Sequence, residues 1–137
     1  VNSARSATEE IADALYAPRY AVDDEAQLQL AIEKVLRARE WAVRREVDMQ
    51  NRPRRIDFVV GRREWWIGVE VKVKGAPGAV LRQVSTYLEN RFWLNGAARR
   101  LDGLVLATTR SAHDRTMGGI ATLSDRPFVV ALLSRGM

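Results

Sequence analysis

Apolar residues recur along this chain at two different spacings, and the change from one to the other divides it into helices and strands. Between Asp24 and Arg39, the residues Leu28, Ala31, Ile32, Val35 and Leu36 lie three and four positions apart, which gathers them on one side of an α-helix. Asp24 offers an N-cap oxygen and Gln27 follows three positions on, so a helix is expected over 24–39. A shorter helix is expected over 6–16, opening on Ser6-x-x-Glu9, carrying Ile11, Ala14 and Leu15, and stopped by Pro18. From Trp41 the period drops to two: Trp41, Val43 and Val47 alternate with Ala42, Arg44 and Glu46, predicting a strand over 41–48. After an Asn51-Arg52-Pro53 turn, strands are expected at Arg55–Val60 and Trp66–Lys74, joined by a tight turn across Gly61–Glu64. Gly75-Ala76-Pro77-Gly78 breaks the pattern. Val80, Val84, Tyr87 and Leu88 then restore helical spacing over 79–91. GLVLATT at 103–109 reads as a buried strand, 112–123 as a helix weakened by Gly118-Gly119, and Phe128–Leu133 as a last strand.

That order, α, α, β, β, β, α, β, (α), β, predicts an α/β sandwich with a mixed central sheet flanked by helices. The 137 residues suit a single domain, with 1–20 as a helical extension and 24–133 as the core. Hydrophobic residues at 47% and charged residues at 28% fit an ordinary globular chain. The absence of cysteine excludes disulfide scaffolds, thiolate zinc sites and cysteine nucleophiles, and fits a reducing cytoplasm. No apolar run approaches the roughly 20 residues of a membrane helix. VNSARSATEEIADAL carries acids where a signal peptide needs an apolar stretch, so neither a membrane partner nor a leader is expected. A net charge of +5 suits a polyanionic partner, although the arginine excess behind it also follows from a GC-rich gene. Only Lys34, Lys72 and Lys74 are lysines, and two of these three fall in one short strand.

That strand carries the chemistry. In RRIDFVVGRREWWIGVEVKVKG, alternation sends Ile67, Val69, Val71 and Val73 to one side and Gly68, Glu70, Lys72 and Lys74 to the other. Ile56, Phe58 and Val60 are expected to share a side, leaving Asp57 on the opposite one. A turn between Arg63 and Glu64 places Asp57 directly across from Glu70, where paired residues project together. Two adjacent carboxylates repel unless a cation or a proton lies between them. Mg²⁺ or Mn²⁺ takes oxygen ligands and keeps several waters, so Asp57, Glu70 and the Val71 carbonyl are candidate metal ligands, with Lys72 beside the reacting water. The alternative is an Asp–Lys–Glu network on the polar side of an amphipathic sheet.

R-I-D-F followed by V-E-V-K-V-K resembles the core of the PD-(D/E)XK nuclease superfamily, with Asp57, Glu70 and Lys72 on the three motif positions. Ile56 stands where the family usually has proline. The resemblance spans residues 24–109 and implies a restriction-endonuclease-like αβββαβ core. It also implies hydrolysis of DNA phosphodiester bonds with Mg²⁺ or Mn²⁺. Many members carry a glutamate on the first core helix that reaches the metal. Glu25, one turn before Leu28, is the preferred counterpart, and Glu33 at the edge of the stripe is the rival. Gln83-Val-Ser-Thr-Tyr87 is similar to the Q-x-x-x-Y motif of RecB-like members. A spacing of four puts both residues on one helix side, where they either hold the metal site, meet a phosphate, or serve as plain surface and core-edge positions. Small members include Holliday-junction resolvases that act as dimers, so a homodimeric, structure-directed DNA endonuclease of repair or recombination is expected. A RecB-like end-processing nuclease and a non-catalytic nucleic-acid-binding module are the alternatives.

The remaining candidates are weaker. Arg44, Arg45, Arg52, Arg54, Arg55, Arg62 and Arg63 cluster near strand ends, where Arg54, Arg55 and Arg62, with Lys74 and Tyr87, are candidates for nucleic-acid contact. A solvated rim explains the same arginines. Trp65 and Trp66 read as packing residues, and Phe92-Trp93 as an apolar helix end or a dimer contact. His113-Asp114 lacks a serine in a nucleophile-elbow context, and Gly75–Gly78 lacks the Gly-Lys-Ser/Thr ending of a phosphate loop.

Overall fold

A computed structural model describes residues 3–16, 18, 20, 24–110 and 125–133. Two helices come first, α1 (Ala4–Tyr16) and α2 (Glu25–Ala38), then strands β1 (Ala42–Asp48), β2 (Arg55–Arg62) and β3 (Trp65–Lys72). Helix α3 (Pro77–Glu89) follows, then β4 (Arg91–Leu94), β5 (Ala97–Arg100), β6 (Gly103–Thr108) and β7 (Phe128–Leu132). The main sheet runs β1-β2-β3-β6-β7. Its first three strands are antiparallel, and β6 and β7 join β3 in parallel. The chain is therefore an α/β domain with a mixed sheet, as the alternation predicted. The segment 112–123, expected to be helical, lies outside the described residues.

Each side of the sheet buries its own apolar cluster. On one, Ile11 and Leu15 of α1 and Leu28, Ile32 and Leu36 of α2 pack on Phe58, Val60, Ile67, Val69 and Val71. On the other, Val80, Val84, Tyr87 and Leu88 of α3 and Phe92 and Leu94 of β4 pack on Ile56, Val59, Leu104 and Leu106. Strand β6 is buried along its whole length, which is why GLVLAT shows no alternation. Helix α1 is a full member of this core rather than an extension: Ala7, Ile11 and Leu15 are 0% exposed. A Cβ at Gly103 of β6 would run into Thr8 Oγ1 of α1, so glycine there permits the close approach. The cap of α1 is Ser3, whose Oγ accepts from the Ser6 amide at 3.0 Å, so the helix starts before the Ser6-x-x-Glu9 box.

Three boundaries differ from the sequence reading for identifiable reasons. Helix α3 starts two residues early because Pro77 occupies its first turn, where a missing N–H costs nothing. It ends at Glu89 because Arg91 opens a hairpin absent from the sequence reading. Its turn is Asn95-Gly96, both at positive φ (54° and 77°), the conformation that a two-residue hairpin demands. The third boundary is β3, which leaves the ladder after Lys72, and Val73 turns to side-chain partners.

Candidate functional site

The turn between β2 and β3 sets the register of the site. Arg62 pairs with Trp65, leaving Arg63 and Glu64 as a two-residue turn, and Phe58 pairs with Val69. Continuing one position brings Asp57 level with Glu70, the alignment expected from the sequence. The expected facing of β2 is corrected, however. Phe58 and Val60 lie on the α2 side, whereas Ile56 lies with Val59 on the α3 side. Strand β1 changes sides at the same level: Val43 packs towards α2 and Val47 towards α3. The pairs Arg45↔Phe58 and Val47↔Ile56 flank the switch, leaving Glu46 and Asp57 between them, and Glu46 adopts φ 51°. A left-handed residue inside a strand re-aims the side chains around it. Asp57 sits at the pivot.

At this level β2 and β3 are tied by carboxylates. Glu70 Oε1 accepts from the Asp57 amide at 3.1 Å, and Asp57 Oδ2 accepts from the Val71 amide at 2.8 Å. Each acid thus caps a backbone N–H of the other strand. Lys72 Nζ stands 3.7 Å from Glu70 Oε2. Glu70 is only 3% exposed. Burial, then the neighbouring Asp57 charge, pushes its carboxyl well above the ordinary range. Burial likewise raises Asp57, against the Val71 amide bond, Glu70 and Lys72, which all pull it down. Without a cation between them, the two acids therefore hold a proton more tightly than free carboxylates do.

Helix α2 reaches this pair at two points. Asp24 caps the helix, accepting from the Gln27 amide at 2.8 Å, as expected. Glu25 Oε1 accepts from the Val73 amide at 3.0 Å, and its charge adds to the upward push on Asp57. Its rival Glu33 pairs instead with Arg37 and Arg45, at 2.8 and 3.1 Å. The second point is Gln29, absent from the sequence reading. Its Nε2 donates to Asp57 Oδ1 at 3.3 Å, while Arg45 Nη2 donates to its Oε1 at 3.0 Å. A relay Glu33–Arg45–Gln29–Asp57 fixes which end of the amide faces the acid. Gln29 follows Glu25 by four residues, the spacing that stacks side chains on one helix side, and that signal was present in the sequence.

From the opposite side α3 supports Glu70. Tyr87 Oη donates to the Arg55 carbonyl at 2.9 Å and lies 3.4 Å from Glu70 Oε2, while Gln83 Nε2 donates to Tyr87 Oη at 2.8 Å. Tyr87 is 1% exposed, so the expectation of nucleic-acid contact is corrected: it holds the carboxylate from within the core. Burial and the Glu70 charge keep its hydroxyl protonated well beyond the usual phenol range.

A shallow cleft of about 580 Å³ opens beside the acids, lined by Asp24, Glu25, Ala26, Lys72, Lys74 and Gly75. Lys74 is exposed there. Arg54 and Arg55 lie at the Asp57 end of β2, where Arg55 pairs with Asp48 at 2.8 Å. Arg62 is corrected out of the group. It lies five residues along β2 from Asp57, roughly 17 Å away at strand rise, and binds Glu10 of α1 at 2.9 Å. Trp65 and Trp66 pack against the two core clusters, as expected. His113 and Asp114 lie outside the described residues.

Among the described residues no three Asp, Glu, His or Cys side chains converge on one point. The donor set at Asp57 and Glu70 is two hard carboxylates in a partly dry recess. It matches an ion that takes few protein oxygens and retains water, such as Mg²⁺ or Mn²⁺, better than a four-ligand zinc site. No helix among the described residues is long and apolar enough to cross a membrane. No family model matches the chain, and neither does any curated protein or solved structure.

Proposed function

We propose that this chain is a divalent-metal-dependent nuclease that hydrolyses DNA phosphodiester bonds, with Asp57, Glu70 and Lys72 at its centre. One observation carries the reading: a buried Glu70 and a half-buried Asp57 on neighbouring strands cap each other's backbone with raised proton affinity, and an ammonium stands 3.7 Å from Glu70. Forcing carboxylates together away from water is costly for a fold. Binding a cation there offsets that cost. Asp57 and Glu70 are the residues that would hold Mg²⁺ or Mn²⁺, with the Val71 carbonyl as a backbone candidate. When bound, the ion would lower the pKa of a coordinated water and offset charge developing at phosphorus.

The other residues have roles that follow from their positions. Lys72 steadies charge on the phosphoryl oxygens from beside Glu70. Gln29 aims Asp57, and Tyr87, held by Gln83, aims Glu70. Glu25 holds the Val73 amide, and so fixes the point where β3 leaves the sheet between Lys72 and Lys74. Lys74 and the arginines at 54 and 55 meet the phosphate backbone, positioning the DNA without reading bases. On this reading the enzyme is a structure-directed or weakly specific endonuclease, acting as a homodimer where two opposed strands are cut, with an end-processing nuclease as the rival.

Incubating the protein with labelled linear, nicked, single-stranded, flap and four-way-junction DNA, in Mg²⁺, Mn²⁺ or EDTA, tests the reading. Cutting is expected with either metal and not with EDTA, with branched DNA preferred. Absence of cleavage on every substrate in both metals would leave a non-catalytic binding module as the better account.

A further inference from the structure

The hairpin β4–β5 plays no part in the chemistry above, yet it is joined to the strand ends that carry it. Met49, just past β1, bridges to Phe92, and the Gln50 amide donates to the Arg91 carbonyl at 2.9 Å. Phe92 and Leu94 point inward, both 0% exposed, and the Phe92 ring lies 5.7 Å from that of Tyr87, which contacts Glu70. The period of two then sends Trp93 outward, 47% exposed. A large ring in the middle of a strand, paired across to Ala98, is left with one side open.

The surroundings are rich in arginine, with Asp48 paired to Arg55 and Asp125 to Arg100. Segments 49–55 and 91–100, which the Met49–Phe92 bridge joins, hold Arg52, Arg54, Arg55, Arg91, Arg99 and Arg100 and no acid. Arg52, Arg54 and Arg91 are exposed and pair with no carboxylate among the described residues, and Arg91, two positions before Trp93, shares its face. The hairpin is held firmly: Arg44 bonds the Asn95 side chain, and Arg100 donates to the Leu88 carbonyl at 2.8 Å.

We propose that this hairpin is a binding arm for unpaired polynucleotide, with Trp93 stacking on a base and the arginines at 52, 54 and 91 holding the flanking phosphates. It deepens the nuclease reading, and rests on that reading for DNA rather than RNA as the strand bound. An aromatic ring among unpaired guanidiniums fits a chain that alternates flat bases with anions. Base pairs in a continuous duplex keep their faces covered, so the arm favours DNA that has an unpaired segment, such as a flap or the centre of a branch. Self-association through the same surface would be opposed, because a two-fold contact sets this arginine cluster against its own copy.

The test separates binding from cutting by working in EDTA. Anisotropy of a fluorescein-labelled 20-mer, single-stranded or in duplex, is measured with wild type, Trp93→Thr, Trp93→Phe and Arg54→Ala/Arg91→Ala. Threonine suits a strand but removes the ring, and a thermal melt checks each variant. Trp93→Thr is expected to weaken single-strand binding roughly 10- to 100-fold, with little effect on duplex and most of the affinity kept by Trp93→Phe. The double arginine variant lowers the salt dependence of single-strand binding by about 1.4 logarithmic units per decade. Unchanged single-strand binding by a folded Trp93→Thr overturns the proposal. So does sedimentation showing that wild type dimerises through Trp93. Because no cleavage is involved, a positive result stands even where no DNA is cut.

Discussion

Glu70 shows most clearly what burying an acid does to a fold. Its raised proton affinity means that the folded state binds more protons than the unfolded chain once pH exceeds the ordinary carboxylate range, about 4. Stability of the metal-free protein therefore falls as pH rises through that range towards the raised values of the Asp57–Glu70 pair. Glu70→Gln keeps an acceptor for the Asp57 amide and removes the charge. It is expected to raise the melting temperature in EDTA at pH 8 by about 2–6 °C and to flatten the pH slope. Mg²⁺ should raise the wild-type melting temperature and leave that of Glu70→Gln unmoved. A variant less stable than wild type in EDTA would contradict the strain assigned to the pair. Gln29 provides a second check at this scale. Gln29→Leu is expected to lower metal affinity or cleavage rate about 10- to 100-fold with the fold intact, the usual effect of losing a residue that orients a ligand. Full activity would show that Asp57 needs no such guide.

Elements were legible in the sequence where one physical pattern dominated. The stripe of α2 and its Asp24 cap fixed that helix, and counting back from an Arg63-Glu64 turn placed Asp57 level with Glu70. The reading faltered where a single residue overruled the pattern. Glu46 at positive φ turns over the side chains of β1 and β2, and neither alternation nor residue type announces it. The β4–β5 hairpin was marked by Asn95-Gly96, but its strands are only four residues long and follow a helix with no break. The relay through Arg45 joins β1 to α2 and arises only from tertiary packing. Helix α1 was underrated because its small residues gain importance only from the glycine opposite. Gly103→Ala is therefore expected to cost about 1–3 kcal/mol by forcing α1 off β6. Thr8→Ala in the same chain should recover part of that loss. Additive losses in denaturant melts would place the clash elsewhere.

At the scale of the whole molecule, a chain of net charge +5 carries a centre built on two acids. Two of the three described helices converge on the same strand ends, α2 through Glu25 and Gln29 and α3 through Tyr87, so the sheet, the acids and the cleft beside Lys72 and Lys74 form one unit. On the proposed nuclease function, basic side chains outside it would draw in a polyanion that the centre alone would repel. The most direct measurement is the single-turnover cleavage rate of a four-way junction against Mg²⁺ concentration, for wild type and Lys72→Met. The expected result is saturable, EDTA-sensitive cutting by wild type and a rate at least about 100-fold lower in the variant at saturating metal. Cutting that proceeds equally well without Lys72, or without a divalent ion, would contradict the assignment of this site.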